Sequence, residues 1–322
     1  MNTWFKIVGY GLSAAFIGTV LQAKPQRPKP DLKYIDNGVM KIGIDRSMGA
    51  SVTWLSWKGH TENSINIHDP GRLLQQSYYA GKKLERLNDG QSKHWSPWVW
   101  NPIQGGGVNS WARVSKFEKR GEQALYAETI PKLWDMANEE AEAVMLQLCK
   151  FEKGMSNVIT VRNWLVCNRK NGDRWGDKAL PRHQELPACY FTRQFDDFQV
   201  YNGAGKWKTV TQKQGPPWGR VTSKLNAMAC FNSDGQGIGI FSPTADQHWN
   251  FGPVGKANDK SKPTDSSCVH IAPIGTVPLG PKSVLEYRYW LVVGNKAEIA
   301  QRFDQLMKTY KGEKLKLTTH QK

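Results

Sequence analysis

Hydrophobic and polar residues alternate along much of the chain with the period of two that marks strands with one buried face. The segments with this pattern are short, rich in β-branched and aromatic residues, and bounded by Gly, Asn, Asp or Pro. They are residues 39–44, 51–57, 143–151, 158–166, 237–241 and 284–293. Many short strands separated by turn residues are typical of a sandwich or barrel.

One segment near the C-terminus follows helical periodicity instead. Asn295 is a good N-cap residue and Glu298 follows three positions later, which is the signature of a capping box. Apolar residues then recur at helical spacing: Ile299, Phe303, Leu306 and Met307. No repeat or low-complexity block divides residues 31–307. The sequence therefore predicts an all-β fold, a large antiparallel β-sandwich formed by a single domain over 38–307, with one short C-terminal helix.

The first residues have the features of a secretory signal. Lys6 precedes an apolar run at 7–21, and Ala23 is an acceptable cleavage site. The run is shorter than the ~20 residues that span a bilayer, although an uncleaved anchor is the alternative. We expect a signal peptide at 1–23, then a Pro-rich basic linker at 24–37. The mature protein would be secreted or periplasmic, without stable membrane insertion.

The charge of the chain is strongly positive. The formal net charge is +16, and Lys6, the segment 24–30 and the basic tail 308–322 together contribute half of it. The +8 that remains in 31–307 suits polyanions such as acidic glycans, nucleic acid or anionic lipid, and a solvated basic surface is the alternative. Export and the absence of a recognisable module disfavour nucleic acid. An acidic polysaccharide or oligosaccharide is the favoured partner.

The composition excludes several other classes. With 14 Trp and 39% hydrophobic residues, the chain is not disordered. Its five cysteines are an odd number without tight spacing, so a disulfide scaffold is not predicted. The sequence contains no CxxC or HExxH motif and no Cys/His cluster with zinc spacing. We therefore predict neither a metal site nor a cofactor.

The stretch 66–79 contains the first candidate site residues. A turn at Asp69-Pro-Gly begins a predicted strand whose alternation places Arg72, Gln76 and Tyr78 on one face. Arg72 would bind a carboxylate or sulfate, Gln76 would bind substrate, and Tyr78 would stack on a sugar or transfer a proton. The alternative is an ion pair between Asp69 and Arg72 that braces the turn.

Tryptophans on proline-containing loops form the second group. Trp98 and Trp100 lie in the sequence WSPWVWNP, and Trp218 lies in QGPPWGR. Flat indole faces on loops can bind sugar rings through apolar contacts, so all three are predicted to bind substrate. Packing into the core is the alternative for at least one tryptophan of the first loop.

The remaining candidates are charged. Glu139 follows a predicted turn in PKLWDMANEE, and Arg182, His183 and Glu185 lie between two prolines in PRHQELP. Alternation directs His183 and Glu185 to one face, where they could act as an acid and base pair, and Arg182 to the other, where it could bind an acidic group. Glu139 and Glu185 could form the carboxylate pair of a glycosidase. The alternative is a hydrogen bond between His183 and Glu185 that fixes a loop.

Segments at both ends of the predicted domain carry a family resemblance. Residues 39–43 (VMKIG), 49–55 (GASVTWL) and 66–79 resemble the first strands of galactose-mutarotase-like super-β-sandwich domains, and 234–240 (DGQGIGI) and 285–293 resemble their last strands. The chain also resembles secreted bacterial proteins of unassigned activity with RHQELP and WDMxNE stretches. The resemblance implies a carbohydrate-related function. Residues 182–184 do not match the Asn-His-x-Tyr/Phe motif of intracellular mutarotases.

Two classes of function follow. An enzyme would cleave glycosidic bonds, either by hydrolysis with Glu185 and Glu139 or by β-elimination with His183, Tyr78 and Arg72. A binding module would use the same aromatic and cationic residues without catalysis. An activity like that of aldose epimerases is a further alternative.

Overall fold

The computed structural model describes residues 26–257 and 261–320, and almost all of its regular structure is antiparallel strand. The first twelve strands are β1 (Leu32–Asp36), β2 (Met40–Asp45), β3 (Ser51–Trp57), β4 (Gln75–Ser77), β5 (Ala80–Leu84), β6 (Trp98–Trp100), β7 (Pro102–Ile103), β8 (Gly106–Gly107), β9 (Ser110–Trp111), β10 (Arg113–Arg120), β11 (Ala124–Ile130) and β12 (Lys132–Leu133). They are followed by β13 (Ala143–Glu152), β14 (Met155–Cys167), β15 (Leu180–Thr192), β16 (Asp197–Tyr201), β17 (Trp207–Val210), β18 (Gly219–Thr222), β19 (Ala227–Phe231), β20 (Gln236–Phe241), β21 (His248–Val254), β22 (Cys268–Leu279), β23 (Ser283–Asn295) and β24 (Lys316–Thr319). The helix α1 is Lys296–Thr309, and three 3-10 turns are Arg46–Met48, Leu87–Asp89 and Lys93–Trp95.

Two large sheets dominate the architecture. A ten-stranded sheet has the order β10-β11-β13-β14-β23-β20-β19-β16-β17, with β24 paired to β23. A seven-stranded sheet has the order β12-β7-β4-β15-β22-β21-β18. Smaller sheets are β1-β2-β3, β5-β6 and β8-β9. The predicted all-β, sandwich-like fold is confirmed, and each of the six segments predicted from alternation is a strand.

The hairpin of β13 and β14 shows how the sequence pattern becomes structure. Buried and partly buried residues alternate along Ala143–Glu152, and Met145 and Cys149 are fully buried. The turn that follows contains Gly154, whose φ of 77° is unfavourable for a side chain with a Cβ. Cys149 pairs with Val161 rather than with another cysteine. All five cysteines are free and buried.

The main hydrophobic core joins side chains of both large sheets. Val161 and Leu291 come from the ten-stranded sheet and Phe191 and Ile271 from the seven-stranded sheet, and all four are fully buried in one cluster. This arrangement buries one face of each sheet. It leaves the other face of the seven-stranded sheet available for a cleft.

The predicted helix is confirmed together with its cap. The Asn295 side chain accepts hydrogen bonds from the backbone N–H of Ala297 and Glu298, and Glu298 accepts one from the Asn295 N–H in return. Ile299 and Phe303 pack into a second apolar cluster with residues of the ten-stranded sheet. The helix therefore covers that sheet on the side away from the main core.

Two predicted irregular segments contain strands. The segment 24–37 was predicted as a linker, but its last part is β1, because the prolines end at Pro30 and an apolar alternation with fully buried Ile35 begins there. The basic tail 308–322 contains β24. The side chains of this strand are exposed, but its backbone pairs with β23. The predicted signal peptide 1–23 lies outside the described residues. Within the described ranges, no helix is long and apolar enough to span a bilayer.

Candidate functional site

A cleft of about 490 Å³ lies against the seven-stranded sheet. Strands β4 and β15, which are neighbours in that sheet, contribute Gln75, Ser77, Glu185, Ala188 and Tyr190 to its lining. The lining also includes four partly exposed tryptophans, which are Trp95, Trp98, Trp134 and Trp218. The cleft thus combines a polar sheet surface with aromatic side chains from loops and short elements.

Three of the tryptophans form one aromatic cluster. The ring of Trp95 lies 5.1 Å from that of Trp98 and 5.8 Å from that of Trp134, in both cases edge to face. The indole Nε1 of Trp98 donates a hydrogen bond to Asn101 Oδ1 at 3.1 Å. These contacts hold the rings in place, so an apolar ligand face can stack on them at little entropic cost.

Glu185 is the carboxylate of the strand floor. Its side chain is 11% exposed, and its oxygen Oε1 lies 3.2 Å from His270 Nε2 without the alignment of a hydrogen bond. His270 is on the neighbouring strand β22 and is fully buried. Its other nitrogen, Nδ1, lies 3.2 Å from the carbonyl oxygen of Cys189. A carbonyl only accepts, so Nδ1 carries a proton and Nε2 faces the carboxylate.

Aromatic rings enclose His270. The rings of Tyr190 and Trp218 each lie 4.4 Å from the imidazole and 6.2 Å from each other. Both rings also line the cleft, and His270 therefore lies directly behind the cleft wall. A ligand that stacks on Trp218 would press on the ring that holds His270 against Glu185.

Two tyrosines supply hydroxyl groups to the lining. Burial and the nearby Glu185 carboxylate raise the pKa of both Tyr79 and Tyr190. Both hydroxyls therefore stay protonated at neutral pH, and they can donate a hydrogen bond or a proton. The backbone N–H of Tyr79 donates to Gln184 Oε1 at 2.7 Å, which fixes the chain at this point.

Arg72 lies in the cleft as predicted, but its charge is paired. Its Nε is 3.1 Å from Asp69 Oδ2, and its Nη1 donates to the carbonyl oxygen of Ser266. Asp69 also accepts from the backbone N–H of Gly71 at 2.9 Å. The alternative interpretation, an ion pair that braces the turn, is the arrangement found. Asp69 is a second carboxylate in the cleft lining.

Gln76 and Tyr78 do not face the cleft. The prediction that this set of alternating side chains forms the binding face was therefore wrong. Both are fully buried, Gln76 Nε2 donates to the Leu146 carbonyl of the ten-stranded sheet at 3.0 Å, and Tyr78 donates to Gln76. The strand β4 turns Gln75 and Ser77 to the cleft instead. The apolar ring of Tyr78 packs in the core, and this determines which side chains of β4 face the cleft.

Trp100 is also a core residue. It is fully buried in the main hydrophobic cluster, and the Arg169 guanidinium lies 5.4 Å from its ring centre. The prediction that it binds substrate is therefore corrected, because burial leaves no face for a ligand. Trp98 and Trp218 do line the cleft, as predicted.

The remaining charged candidates lie away from the cleft lining. His183 is exposed, and Arg182 donates to the Gly81 carbonyl. Glu139 forms ion pairs with Arg86, at 2.9 Å, and with Arg174. The buried Arg86 needs this compensating charge, which explains the position of Glu139. Among the predicted pairs, neither His183 with Glu185 nor Glu139 with Glu185 is brought together in the cleft.

Sequence reasoning missed His270, Tyr79, Trp95, Trp134 and Tyr190. For His270 a signal exists, because it is the single imidazole in the otherwise apolar run CVHIAPI. A buried polar residue in an apolar strand needs a partner, and such residues are candidates for function. Within the described ranges, no group of three or more His, Cys, Asp or Glu side chains has the arrangement of a metal site.

Comparisons with known proteins give a likeness of fold. No family model matches the chain, and no curated protein matches it by sequence. A galactose mutarotase related enzyme from Lactobacillus acidophilus is 10% identical with a TM-score of 0.46, and the match covers 83% of this chain and 98% of that one. A galactose mutarotase-like protein from Lactobacillus casei is 11% identical with a TM-score of 0.47, over 82% and 100%. A heparan sulfate lyase from Pedobacter heparinus is 8% identical with a TM-score of 0.42, over 83% and 35%. Solved structures similar to this chain thus include galactose mutarotase-like proteins, as the sequence resemblance implied.

Proposed function

We propose that the chain is a carbohydrate-active enzyme that binds a neutral saccharide in the tryptophan-lined cleft and hydrolyses it, with Glu185 as the proton-transfer group. One observation carries this proposal. The Glu185 carboxylate lies in the wall of an aromatic cleft, and the buried imidazole of His270 contacts it from behind.

The shape and chemistry of the lining support a saccharide. Sugar rings have an apolar face that stacks on indoles and a rim of hydroxyls that exchange hydrogen bonds with polar side chains. The cleft offers Trp95, Trp98, Trp134 and Trp218 for the first kind of contact. Gln75, Ser77 and Tyr79 lie among them for the second kind.

The charges of the lining support a neutral sugar rather than the acidic one expected from the net charge. The ionisable Asp, Glu and Arg side chains that line the cleft are Asp69, Glu185 and Arg72. Arg72 is already paired with Asp69, and Arg182 lies elsewhere. A uronate carboxylate would meet Glu185, and no unpaired Lys or Arg among the described lining residues would neutralise it. β-Elimination at a uronate, which needs that neutralisation, is therefore disfavoured.

The surroundings of Glu185 support proton transfer. Carboxyl groups and imidazoles are the side chains that most often transfer protons in enzymes, and those of Glu185 and His270 lie 3.2 Å apart. The Nε2 of His270 is directed at Glu185, and the rings of Tyr190 and Trp218 flank the imidazole. Asp69, which pairs with Arg72, provides the second carboxylate of a hydrolase.

The position of Tyr79 favours a second candidate function, epimerisation at the anomeric carbon of a free sugar. That reaction needs one acid and one base at the same ring. The protonated Tyr79 hydroxyl and the Glu185 carboxylate interact electrostatically in the same cleft and have these two properties.

A panel of neutral and uronate-containing oligosaccharides, together with free aldoses, tests the proposal. New reducing ends from a neutral oligosaccharide are the expected result. Faster anomeric exchange of a free aldose, followed by NMR, would replace hydrolysis by epimerisation. The ultraviolet absorbance of an unsaturated uronate would contradict the proposed neutral substrate. Saccharide binding without any of these reactions would make the chain a binding module.

We also propose that the protein is exported and acts on extracellular or periplasmic saccharides. The basis is the apolar run at 7–21 followed by Ala23. Intact-mass measurement of protein from the periplasm or culture medium should give a chain that begins near Lys24. Recovery of only the full-length chain from the cytosol would contradict export.

A further inference from the structure

A second cavity, of about 450 Å³, lies where β14 ends and the C-terminal strand β24 returns. It is lined by Asn168, Arg169, Lys170, Asn171, Lys282 and His320. None of these residues lines the saccharide cleft. The cavity is therefore a separate feature of the molecule, and the proposed function does not use it.

The lining of this second cavity is cationic. Lys170 and Lys282 contribute positive charge, the Arg169 guanidinium is paired with Asp173, and His320 adds a positive charge when it is protonated. Asn168 and Asn171 add amide groups that donate hydrogen bonds. Among the described residues, no carboxylate is part of the lining. Like charges gathered around one concavity repel each other, and an anion within it would relieve that repulsion.

Arg169 has a donor that the protein leaves unused. Its side chain is fully buried, its Nε and Nη2 bind the carboxylate of Asp173 at 2.7 and 2.8 Å, and Nη2 also donates to the Gly176 carbonyl. Its Nη1 has no hydrogen-bond partner among the described residues. A buried charged donor without an acceptor is costly, and Arg169 therefore adds an unsatisfied donor to the wall of the cavity.

His320 connects the two sides of the cavity. Its backbone N–H donates to the Lys282 carbonyl at 3.0 Å, and its Nε2 lies 2.8 Å from the Cys167 carbonyl, two residues before Arg169. Because Nε2 must donate to that carbonyl, Nδ1 is an acceptor in the neutral ring and donates to an anion only in the imidazolium form. These bonds fix the positions of Lys282 and Arg169 before any ligand binds, which lowers the entropic cost of binding.

We propose that this cavity is an oxyanion site, which binds a phosphate or sulfate group either as the free ion or as an ester on a saccharide. Guanidinium and ammonium groups form short charge-assisted hydrogen bonds with such oxygens. The amides of Asn168 and Asn171 add donors to the same group. The cavity is larger than one oxyanion needs, and this leaves room for the body of an ester.

Isothermal titration of the full chain with sodium phosphate, sodium sulfate, glucose 6-phosphate and glucose 6-sulfate tests the site. In the double variant Lys170→Gln/Lys282→Gln we expect the dissociation constant to rise at least about fivefold, because two charge-assisted contacts are removed. Amide NMR signals of residues 168–171, 282 and 320 should shift in the wild type. Tighter binding of the esters than of the free ions would identify the saccharide ester as the ligand, and equal binding would identify the free ion.

A matched control separates this site from diffuse charge. Lys58 and Lys224 are exposed and lie outside the cavity, so Lys58→Gln/Lys224→Gln removes the same charge. The control should change the dissociation constant by less than about twofold. Equal weakening in both double variants, or no saturable binding to the wild type, would overturn the proposal. The readout uses anions without the neutral saccharide, so it stands or fails independently of the proposed hydrolysis.

Discussion

At the scale of single residues, the proposed chemistry depends on the contact between Glu185 and His270. The imidazole is fully buried, and its Nε2 lies 3.2 Å from the carboxylate oxygen Oε1. On the other side of Glu185 the cleft is open to a ligand. A carboxyl group in this position lies between the His270 imidazole, a group that can exchange protons, and the place of the substrate. General acid catalysis requires such an arrangement.

Glu185→Gln tests that role. The change keeps the shape of the side chain but removes its capacity to exchange a proton, so turnover should fall by about 100-fold or more. The free energy of unfolding should change by no more than about 1 kcal/mol. Turnover per folded molecule and thermal unfolding are measured on the same preparation.

Glu139→Gln is the comparison for that variant. Glu139 pairs with the buried Arg86 and does not line the cleft. We expect normal turnover per folded molecule and a lower melting temperature, because a buried charge loses a partner. Near-normal turnover of Glu185→Gln, or a large loss in Glu139→Gln, would remove Glu185 from the mechanism.

Trp98 and Trp100 should respond in opposite ways to substitution by Ala. Trp98 lines the cleft and is partly exposed, so Trp98→Ala should weaken saccharide affinity about tenfold while stability changes little. Trp100 is fully buried in the core, so Trp100→Ala should cost about 3 to 5 kcal/mol of unfolding free energy. Calorimetric titration and denaturant unfolding measure the two effects. A variant pair with the reverse pattern would contradict the placement of the cleft.

These residues also show what alternation can and cannot predict. Period-two counting correctly separates neighbouring side chains, but it does not say which set faces the core. Counting from Arg72 selected Gln76 and Tyr78, whereas the strand β4 directs Gln75 and Ser77 to the cleft. His270 was not predictable as the partner of Glu185, because the two are distant in the chain and only the pairing of β15 with β22 brings them together.

At the scale of elements, the C-terminal segment is held by specific contacts. Glu152, at the end of β13, accepts hydrogen bonds from Tyr310 Oη at 2.6 Å, from Trp290 Nε1 at 2.9 Å and from Thr160. Arg288 of β23 pairs with Glu313. Tyr310 and Glu313 lie between the helix α1 and the strand β24, and they attach this segment to the ten-stranded sheet.

Glu152 should give the stability a dependence on pH. Burial raises the pKa of Glu152. The hydrogen bonds from Thr160, Tyr310 and Trp290 together lower it by more than burial raises it, so the pKa lies below its ordinary value of 4.5. A depressed pKa in the folded state stabilises the protein above pH 4.5, and this contribution is lost as the pH falls through the folded value. Glu152→Gln should therefore lie below the wild type in unfolding free energy at neutral pH. The gap should narrow on acidification, as measured by urea unfolding across the pH range. A difference in unfolding free energy that grows at acid pH would contradict this interpretation of Glu152.

Deletion of residues 308–322 should affect stability more than the cleft. It removes Tyr310, Glu313 and β24, so we expect a loss of about 2 to 4 kcal/mol in unfolding free energy. Saccharide affinity per folded molecule should stay within about twofold, because no residue of the tail lines the cleft. Thermal unfolding and calorimetric titration measure both. Loss of saccharide binding in a truncated chain that remains folded would contradict the position of the cleft.

The sequence predicted the regular elements well for a physical reason. Long strands with one buried face repeat the same alternation over many residues, as in β13, β14 and β23, and a capped amphipathic helix carries its own start signal. Several strands were not predicted: β22 is buried along most of its length and shows no alternation, and the pairing of β1 and β24 depends on backbone groups. The exposed side chains of β24 do not reveal those groups.

At the scale of the whole molecule, the net charge of +16 does not describe the cleft. Among the described residues of the cleft lining, Arg72 is the single guanidinium, and it pairs with Asp69, one of two carboxylates. Cationic side chains are concentrated at the second cavity instead. Composition predicted a basic protein correctly, but the location of charge follows from the fold. The molecule therefore separates a cleft suited to a neutral saccharide from a surface suited to anions.

The most direct test of the cleft is an NMR titration of the wild-type protein that follows the indole N–H signals of its tryptophans. A neutral oligosaccharide should cause saturable shifts at Trp95, Trp98, Trp134 and Trp218, which line the cleft. The signals of Trp249 and Trp290, which are fully buried elsewhere, should stay in place. Shifts confined to other tryptophans, or a response to acidic but not neutral saccharides, would contradict the account.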